Sequence, residues 1–388
     1  MSASTDFDCI VIGAGVQGSF TAYQLAKKNQ RTLLLEQFVL PHSRGSSHGQ
    51  TRIIRKAYEE DFYTHMMGEC YELWAQLEKE AGVKLYRQTG LLVTAPEKGR
   101  SFQLIKNTLQ RNKVPIVILT PDNFSQHIPN VHLSEGDGAL VDVTAGVLYA
   151  DRALRTVQSQ FQKLGGVIRD QEKVTDVKPG AVVTVTTSAG VYQARSIVIT
   201  AGPWANTLLG HTGLHLPLEV QKINVCYWKE KVPGSYDLKR RFPCFVVPEC
   251  QETDVHIYGL PSNEYPGLMK VCLHIGKKTD PDQRDQQSDR SDIALLKRYI
   301  SRCLPGLEPE PAVVESCLYT MTPDRHFVLD RHPTYKNIVI GAGFSGHGFK
   351  FGPIVGKLLS ELALGEVPSY NLSPFSVARF QGKLQSAL

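Results

Sequence analysis

Cys9-Ile-Val-Ile12-Gly13-Ala-Gly15-Val-Gln-Gly18 is the stretch that decides the fold of this 388-residue chain. A short β-branched run reads as a buried parallel strand, and the three glycines after it have the spacing of a dinucleotide-binding turn. Gly13 permits the tight turn, Gly15 lets a pyrophosphate approach the backbone, and Gly18 lets the following helix pack closely on the sheet. That helix reads from Ser19 to Lys28, with Phe20, Tyr23 and Leu25 available for packing. Its N-terminus offers unpaired N–H groups and a positive dipole end to phosphates. Thr32-Leu-Leu-Leu35 reads as the next strand and ends at Glu36, which is placed to accept from a ribose hydroxyl. An acid there favours an unphosphorylated ribose, so FAD or NAD is expected rather than NADP.

A second triplet, Gly341-Ala-Gly343-Phe-Ser-Gly346, follows the apolar strand Asn337 to Ile340 near the other end of the chain. No acid stands at the ribose position beyond it, so a second nucleotide is not expected. The triplet is expected instead to present the N-terminus of a helix, running through Gly352 to Leu364, to the same cofactor.

Between the triplets the texture alternates. Helical patterns cover Tyr63 to Ala81, Ser101 to Arg111, Tyr149 to Leu164 and Asp292 to Cys303. Strand patterns cover Tyr86 to Thr94, Val114 to Leu119, Val167 to Ile168, Gln171 to Val177, Val182 to Thr187 and Ser196 to Thr200. The last stops in Ala-Gly202-Pro-Trp204, a second close approach of backbone to cofactor. Further strands at Leu218 to Cys226, Phe242 to Val247, Val255 to Gly259 and Leu268 to Ile275 read as a mostly antiparallel sheet. Arg52-Ile-Ile-Arg55 places two cations three apart, on one face if helical. The class expected is α/β with an α+β catalytic part. A Rossmann-like FAD-binding domain of residues 1–85, 146–217 and 318–388 is interleaved with a substrate domain of residues 86–145 and 218–317. Residues 366–388 read as a mostly irregular tail.

The formal charge of +5 comes from dispersed Lys and Arg with no one-sign block, which gives nucleic-acid binding no support. Eight cysteines, at 9, 70, 226, 244, 250, 272, 303 and 317, form no C-x-x-C pair, so neither zinc nor a disulfide framework is expected. No stretch reaches transmembrane length and no secretory leader opens the chain, so a soluble, intracellular protein without membrane association is expected. Ser386-Ala-Leu388 echoes the small-basic-Leu peroxisomal address without its basic residue, and a trimmed end would hide an import-receptor signal.

The chain resembles the monomeric sarcosine oxidases, and within them the mammalian peroxisomal sarcosine or pipecolate oxidases. The resemblance rests on the first triplet, on Gly45-Ser46-Ser-His48-Gly-Gln-Thr-Arg52-Ile-Ile-Arg55, on Cys317-Leu-Tyr319-Thr-Met-Thr-Pro-Asp324, and on Gly343-Phe-Ser-Gly346-His347-Gly348-Phe-Lys350. It implies FAD, one per chain, joined through an 8-alpha thioether to Cys317. It implies a cofactor site drawn from Gly13, Gly15, Gly18, Glu36, Ser46, His48, Arg52, Val174, Gly202, Trp204, Gly343, Gly346, His347, Gly348 and Lys350. It assigns the substrate carboxylate to Arg55 and Lys350, a charge-assisted contact. Lys270 falls where the family keeps a lysine that promotes reaction with oxygen. His274 and Tyr258 match an active-site histidine and tyrosine, and Arg52 stands beside flavin and substrate. The plain alternatives are a solvent-facing lysine on a half-buried strand and surface or capping charges at Arg52, Arg55 and Lys350.

The resemblance therefore implies oxidation of secondary amino acids, L-pipecolate and sarcosine and more weakly L-proline, to imines by a monomeric peroxisomal enzyme of lysine and amino-acid catabolism. Oxygen is the acceptor and hydrogen peroxide a product. Two other readings stand beside it. One is a related dehydrogenase with a different acceptor, and the other is a noncatalytic FAD-binding interaction protein.

Overall fold

A computed structural model describes residues 6–249, 256–286 and 289–380. Cys250, the first residue of the strand expected from Val255, and the C-terminal Ser-Ala-Leu lie outside the described residues.

The apolar run becomes the strand Phe7–Ile12, which pairs in parallel with Thr32–Leu35 on one side and with Val191–Ile199 on the other. Ile338–Ala342 pairs in parallel with the far end of Val191–Ile199, so the strand before the second triplet joins the sheet of the first. The described residues form eight strands in this sheet, nine in a second and three in a small third. The second sheet is mostly antiparallel. It contains Leu91–Pro96, Asp137–Asp142, Glu219–Glu230, Cys244–Val247, Ile257–Leu260 and Leu268–Leu273.

The first helix spans Val16–Lys27 and begins right after the glycine turn. Gly13 adopts φ +102°, open to glycine at no steric cost, and a Cβ there would meet the Thr200 carbonyl oxygen at 2.6 Å. A Cβ on Gly18 would stand 2.0 Å from the Gly13 carbonyl oxygen. The turn and the helix are pressed together as the spacing predicts. The helix Gly352–Ala363 lies against the first one, and a Cβ on Gly356 would sit 2.6 Å from Phe20 backbone. Phe20, Trp74, Val355 and Leu358 share one core on this face, while Ile10, Leu33, Ile197 and Ile340 belong to the core of the opposite face. Fully burying an aromatic or aliphatic side chain of this kind contributes about 1.5–3 kcal/mol.

Three features depart from the sequence reading. Arg52-Ile-Ile-Arg55 is extended, since Thr51–Ile54 pairs antiparallel with Gly146–Tyr149, so the two cations are not neighbours on a helix face. Two β-branched isoleucines fit a pleated surface better than a helix start. The second triplet leads through a loop and a 3-10 turn, Phe349–Phe351, before its helix begins at Gly352. That helix end does not face the cavity described below. Leu307–Met321 is a 15-residue strand that the sequence reading did not assign, its early Glu-Pro-Glu-Pro run being a poor strand signal. The described part of the tail is irregular as read, apart from two short 3-10 turns, and Phe375, Val377 and Phe380 are buried.

Among the described residues no helix is long and apolar enough to cross a membrane, and no cluster of His, Cys, Asp and Glu is arranged to hold a metal.

Candidate active site

A cavity of about 910 Å³ runs from the first glycine turn to the second triplet. Of the residues singled out from sequence, Gly18 and Gly343 lie outside its wall, and all the others line it. Those two act behind the wall. Gly18 allows the helix–turn contact, and Gly343, at φ +62°, turns the chain where a Cβ would press Thr322 at 2.4 Å.

At one end Glu36 is buried and bridges backbone, accepting from Ala14 N–H at 3.0 Å through Oε2 and from Phe38 N–H at 3.1 Å through Oε1. Ser47 Oγ accepts from Val16 N–H in the first turn of the helix, so the loop of residues 41–50 closes over the glycine turn. Val174, Gly202 and Trp204 form the adjoining wall, and Trp204 Nε1 donates to Asp282 at 2.8 Å.

The middle is built by loop and strand together. Arg52 gives both guanidinium ends to carbonyls of its own loop, Thr51 at 2.8 Å, Ser46 at 3.0 Å and His48 at 2.5 Å, and its plane faces the Phe349 ring. His48 stands with one ring nitrogen 2.9 Å from the Gly45 carbonyl oxygen and the other 3.0 Å from that of Ser316. Burial, followed by the Arg52 charge, depresses its pKa to about 4, so the ring is neutral at neutral pH and serves one of the two carbonyls at a time. The strand Leu307–Met321 brings Glu315, Cys317 and Tyr319 to alternate positions along the wall. Of the seven described cysteines, all free, Cys317 is the one that lines the cavity.

Across from it, Lys270 from the Leu268–Leu273 strand and His274, the residue just past its end, both reach the cavity, as two positions on one strand face would. Lys270 Nζ donates to Thr51 Oγ1 at 3.0 Å and pairs with the buried Glu264 carboxylate. His274 Nδ1 lies 3.4 Å from the Tyr319 hydroxyl, and the Tyr258 ring stands nearly perpendicular to the imidazole. Burial, then the nearby His256 ring and the Arg55 charge, push the His274 pKa down to about 3. The Tyr258 phenol is held well above its usual value, foremost by burial, and is a neutral hydroxyl.

At the far end Arg55 and Lys350 flank the Tyr58 ring at 4.2 and 5.7 Å from its centroid. Lys350 is buried, and its Nζ donates to the His347 carbonyl oxygen at 2.9 Å. Burial and the Arg55 charge pull its pKa well below the ordinary lysine value. A guanidinium beside a buried amine that is short of counter-charge forms a site for an anion, which would restore the amine's proton. Gly346 is where this end meets the strand: a Cβ there would reach 2.4 Å from Tyr319 and 2.6 Å from His274. Gly348 accepts from Gln17 Nε2 at 2.9 Å, tying the second triplet to the first helix.

The cavity suits an elongated dinucleotide on grounds of its own. Gly13 and Gly15 leave backbone exposed at one end, and Gln17 Oε1, Thr320 Oγ1 and His347 Nδ1 on its wall are buried without a partner in the protein. Buried polar atoms of this kind are ordinarily satisfied, and a ligand with many polar groups would satisfy them. Sequence reasoning missed Thr51, Tyr58, Glu264 and the role of Tyr319. Thr51 and Tyr319 stood in quoted motifs without a role of their own, while Tyr58 and Glu264 lie outside helices and strands and carry no spacing signal.

Residues 8–362 match the family described as FAD dependent oxidoreductase. The peroxisomal sarcosine oxidase of Homo sapiens is 55% identical over 385 residues, with 98% of each chain covered. The monomeric sarcosine oxidase of Bacillus sp. (strain B-0618) is 34% identical, with 97% of each chain covered. Among solved structures, the open form of NikD, an unusual amino acid oxidase essential for nikkomycin biosynthesis, superposes with a TM-score of 0.83. It shares 23% identity, covers 96% of this chain and 98% of its own, and speaks to the fold alone. The glycine turn, the acid at the second strand end and the cavity that follows them therefore belong to an FAD-dependent oxidoreductase of the sarcosine oxidase group.

Proposed function

We propose that this protein oxidises secondary amino acids, L-pipecolate and sarcosine foremost and L-proline more weakly, to imines, with oxygen as acceptor and hydrogen peroxide as product. The observation that carries this reading is one cavity that joins a dinucleotide turn, Lys270, the partly buried Arg55 guanidinium and the buried Lys350 amine. FAD, when bound, supplies the two-electron acceptor; the protein supplies orientation and field.

Gly13, Gly15 and Glu36 hold the adenosine end, and Cys317 carries the thioether to the flavin end. Arg55 and Lys350 take the substrate carboxylate, whose negative charge lets Lys350 regain the proton that burial disfavours. The substrate must lose a hydride from the carbon next to nitrogen and a proton from the nitrogen. Neutral His274, with Tyr258 and Tyr319 hydroxyls beside it, gives the amine uncharged hydrogen-bonding partners and keeps it in the unprotonated form that can react. The Lys270 ammonium sets a positive charge where oxygen is reduced. The division into a cofactor unit and a substrate unit, a monomeric state and a peroxisomal location belong to the same reading. The names of the human, mouse and bacterial relatives support the last two.

Anaerobic titration of the flavin spectrum tests the activity. L-pipecolate or sarcosine should bleach it, and admitted air should restore it with release of peroxide. A spectrum unmoved by either amino acid and by L-proline leaves a noncatalytic flavoprotein, while bleaching followed by slow recovery in air indicates a dehydrogenase. Acid precipitation tests the thioether: the yellow colour should stay with the pellet and move to the supernatant in Cys317→Ser.

A further inference from the structure

The turn between Ile257–Leu260 and Leu268–Leu273 carries Glu264, whose side chain is 4% exposed, against 5% for that of Lys270. Three hydrogen bonds close a ring. Lys270 Nζ donates to Glu264 Oε1 and to Thr51 Oγ1, and Thr51 Oγ1 donates to the same Glu264 oxygen. An ammonium has three hydrogens, so one remains, and Lys270 lines the cavity while Glu264 does not. The carboxylate thus stands behind the lysine, out of reach of reacting atoms. The other groups facing this lysine are uncharged apart from one. The Tyr227 ring lies 5.4 Å from Nζ, its hydroxyl donates to Glu315 at 3.2 Å, and burial holds the Cys244 and Cys272 thiols protonated. Glu315 is shared between Tyr227 and Tyr265, which leaves Glu264 as the carboxylate in contact with Lys270. Burial alone would push the Glu264 carboxyl up. The Lys270 charge and the ring of hydrogen bonds outweigh it and keep the group below its usual value. Breaking such a buried pair strands a charge out of water, and the stranded group then gives up its ionisation.

We propose that Glu264 is the positioning residue that keeps Lys270 an ammonium and aims its remaining hydrogen into the cavity, making oxygen reduction insensitive to pH. The inference rests on the oxygen role given to Lys270 above. In the step concerned, the reduced flavin anion and dioxygen take up one proton and give oxidised flavin and hydrogen peroxide. Two electrons pass to oxygen; one proton leaves the flavin and the other comes from the medium. Glu264 gives up nothing and holds in place the charge toward which electron density moves.

The test uses holoenzyme whose flavin is reduced with stoichiometric dithionite and mixed with oxygen between pH 6 and 9. Glu264→Gln should reoxidise at least ~10-fold more slowly than wild type at pH 8 and recover as pH falls, because acid returns the proton to Lys270. Its affinity for sulfite, an anion that adds to oxidised flavin, should weaken over the same range without any turnover. Glu264→Asp should restore a flat profile. A flat profile at the wild-type rate, or equal slowing at every pH, overturns the proposal. Should Glu264→Gln not accumulate as holoenzyme, Thr51→Val, which removes one bond and leaves both charges, must slow reoxidation without tilting the profile; an unchanged rate or a tilted profile overturns it. Dithionite takes the amino acid out of the experiment. A wrong substrate assignment would show as a flavin that no amino acid bleaches, with the reoxidation profile still as stated.

Discussion

Replacing Gly346 with alanine would put a methyl group 2.4 Å from a Tyr319 ring carbon and 2.6 Å from His274 Cε1, at a backbone φ of +78°. Two costs can be separated. The left-handed backbone costs a residue with a Cβ about 1–2 kcal/mol. Relieving the contacts means moving both rings by roughly 1 Å, an overpacking cost of about 1–3 kcal/mol. Gly365 serves as the control, since it has φ +75° with nothing within 4 Å of its missing Cβ. Gly365→Ala should therefore lose only the backbone part in urea unfolding, and Gly346→Ala should lose the sum, about 2–5 kcal/mol. Function should separate the pair more sharply. Tyr319 and His274 lie where the substrate is proposed to sit, and a displacement near 1 Å costs a rate of the order of 100-fold. Peroxide release with L-pipecolate would give kcat/KM for both variants. If Gly346→Ala matches Gly365→Ala in both stability and kcat/KM, the close approach at Gly346 does not hold the substrate end of the cavity together, and the reasoning fails.

Arg55→Met and Lys350→Met should each raise KM for L-pipecolate by roughly 10- to 100-fold, as expected when one charge-assisted hydrogen bond to a carboxylate is lost. An unchanged KM in both would remove these cations from carboxylate binding. Acid sensitivity follows from the histidines. His48, His274 and His347 all have folded-state pKa values depressed below the unfolded value near 6.5, chiefly by burial. Their neutral forms are favoured by the fold, so stability is fully present above the unfolded pKa and is lost as pH falls toward the folded values. Between pH 7.5 and 5.5 His48 and His274 should each contribute a loss of about 1.4 kcal/mol, with His347 acting in the same direction, read as a fall in the urea midpoint. His48→Asn should remove its share, and a midpoint that is flat over this window contradicts the burial argument.

The cofactor end was legible in the sequence because its chemistry is local. A strand, three glycines and an acid at the next strand end fall within the first 36 residues, and each needs little beyond its neighbours. Lys270 and His274 were legible in part, because alternation puts both on one strand face, although the strand itself ends at Leu273. Glu264 was not, since its partner Thr51 comes from the other end of the chain and a turn has no periodicity to read. The helical alternative for Arg52 and Arg55 gave way to tertiary pairing with Gly146–Tyr149, which no local pattern announces. The strand that carries Cys317 was hidden by its prolines, although its Cys-Leu-Tyr end was legible through resemblance.

The tie between Gln17 and the Gly348 carbonyl, with Gly356 pressed on Phe20, joins segments more than 300 residues apart. During synthesis the glycine turn leaves the ribosome more than 300 residues before one wall of its cavity. Contacts so distant in sequence form late and slowly. Until they do, Phe20 lacks the helix that covers it, and the nascent chain exposes an apolar helix face that invites chaperone binding or association. Cofactor capture is thus a late event in the life of the chain, and truncation near residue 340 would remove the holoprotein while leaving most of the first sheet encoded.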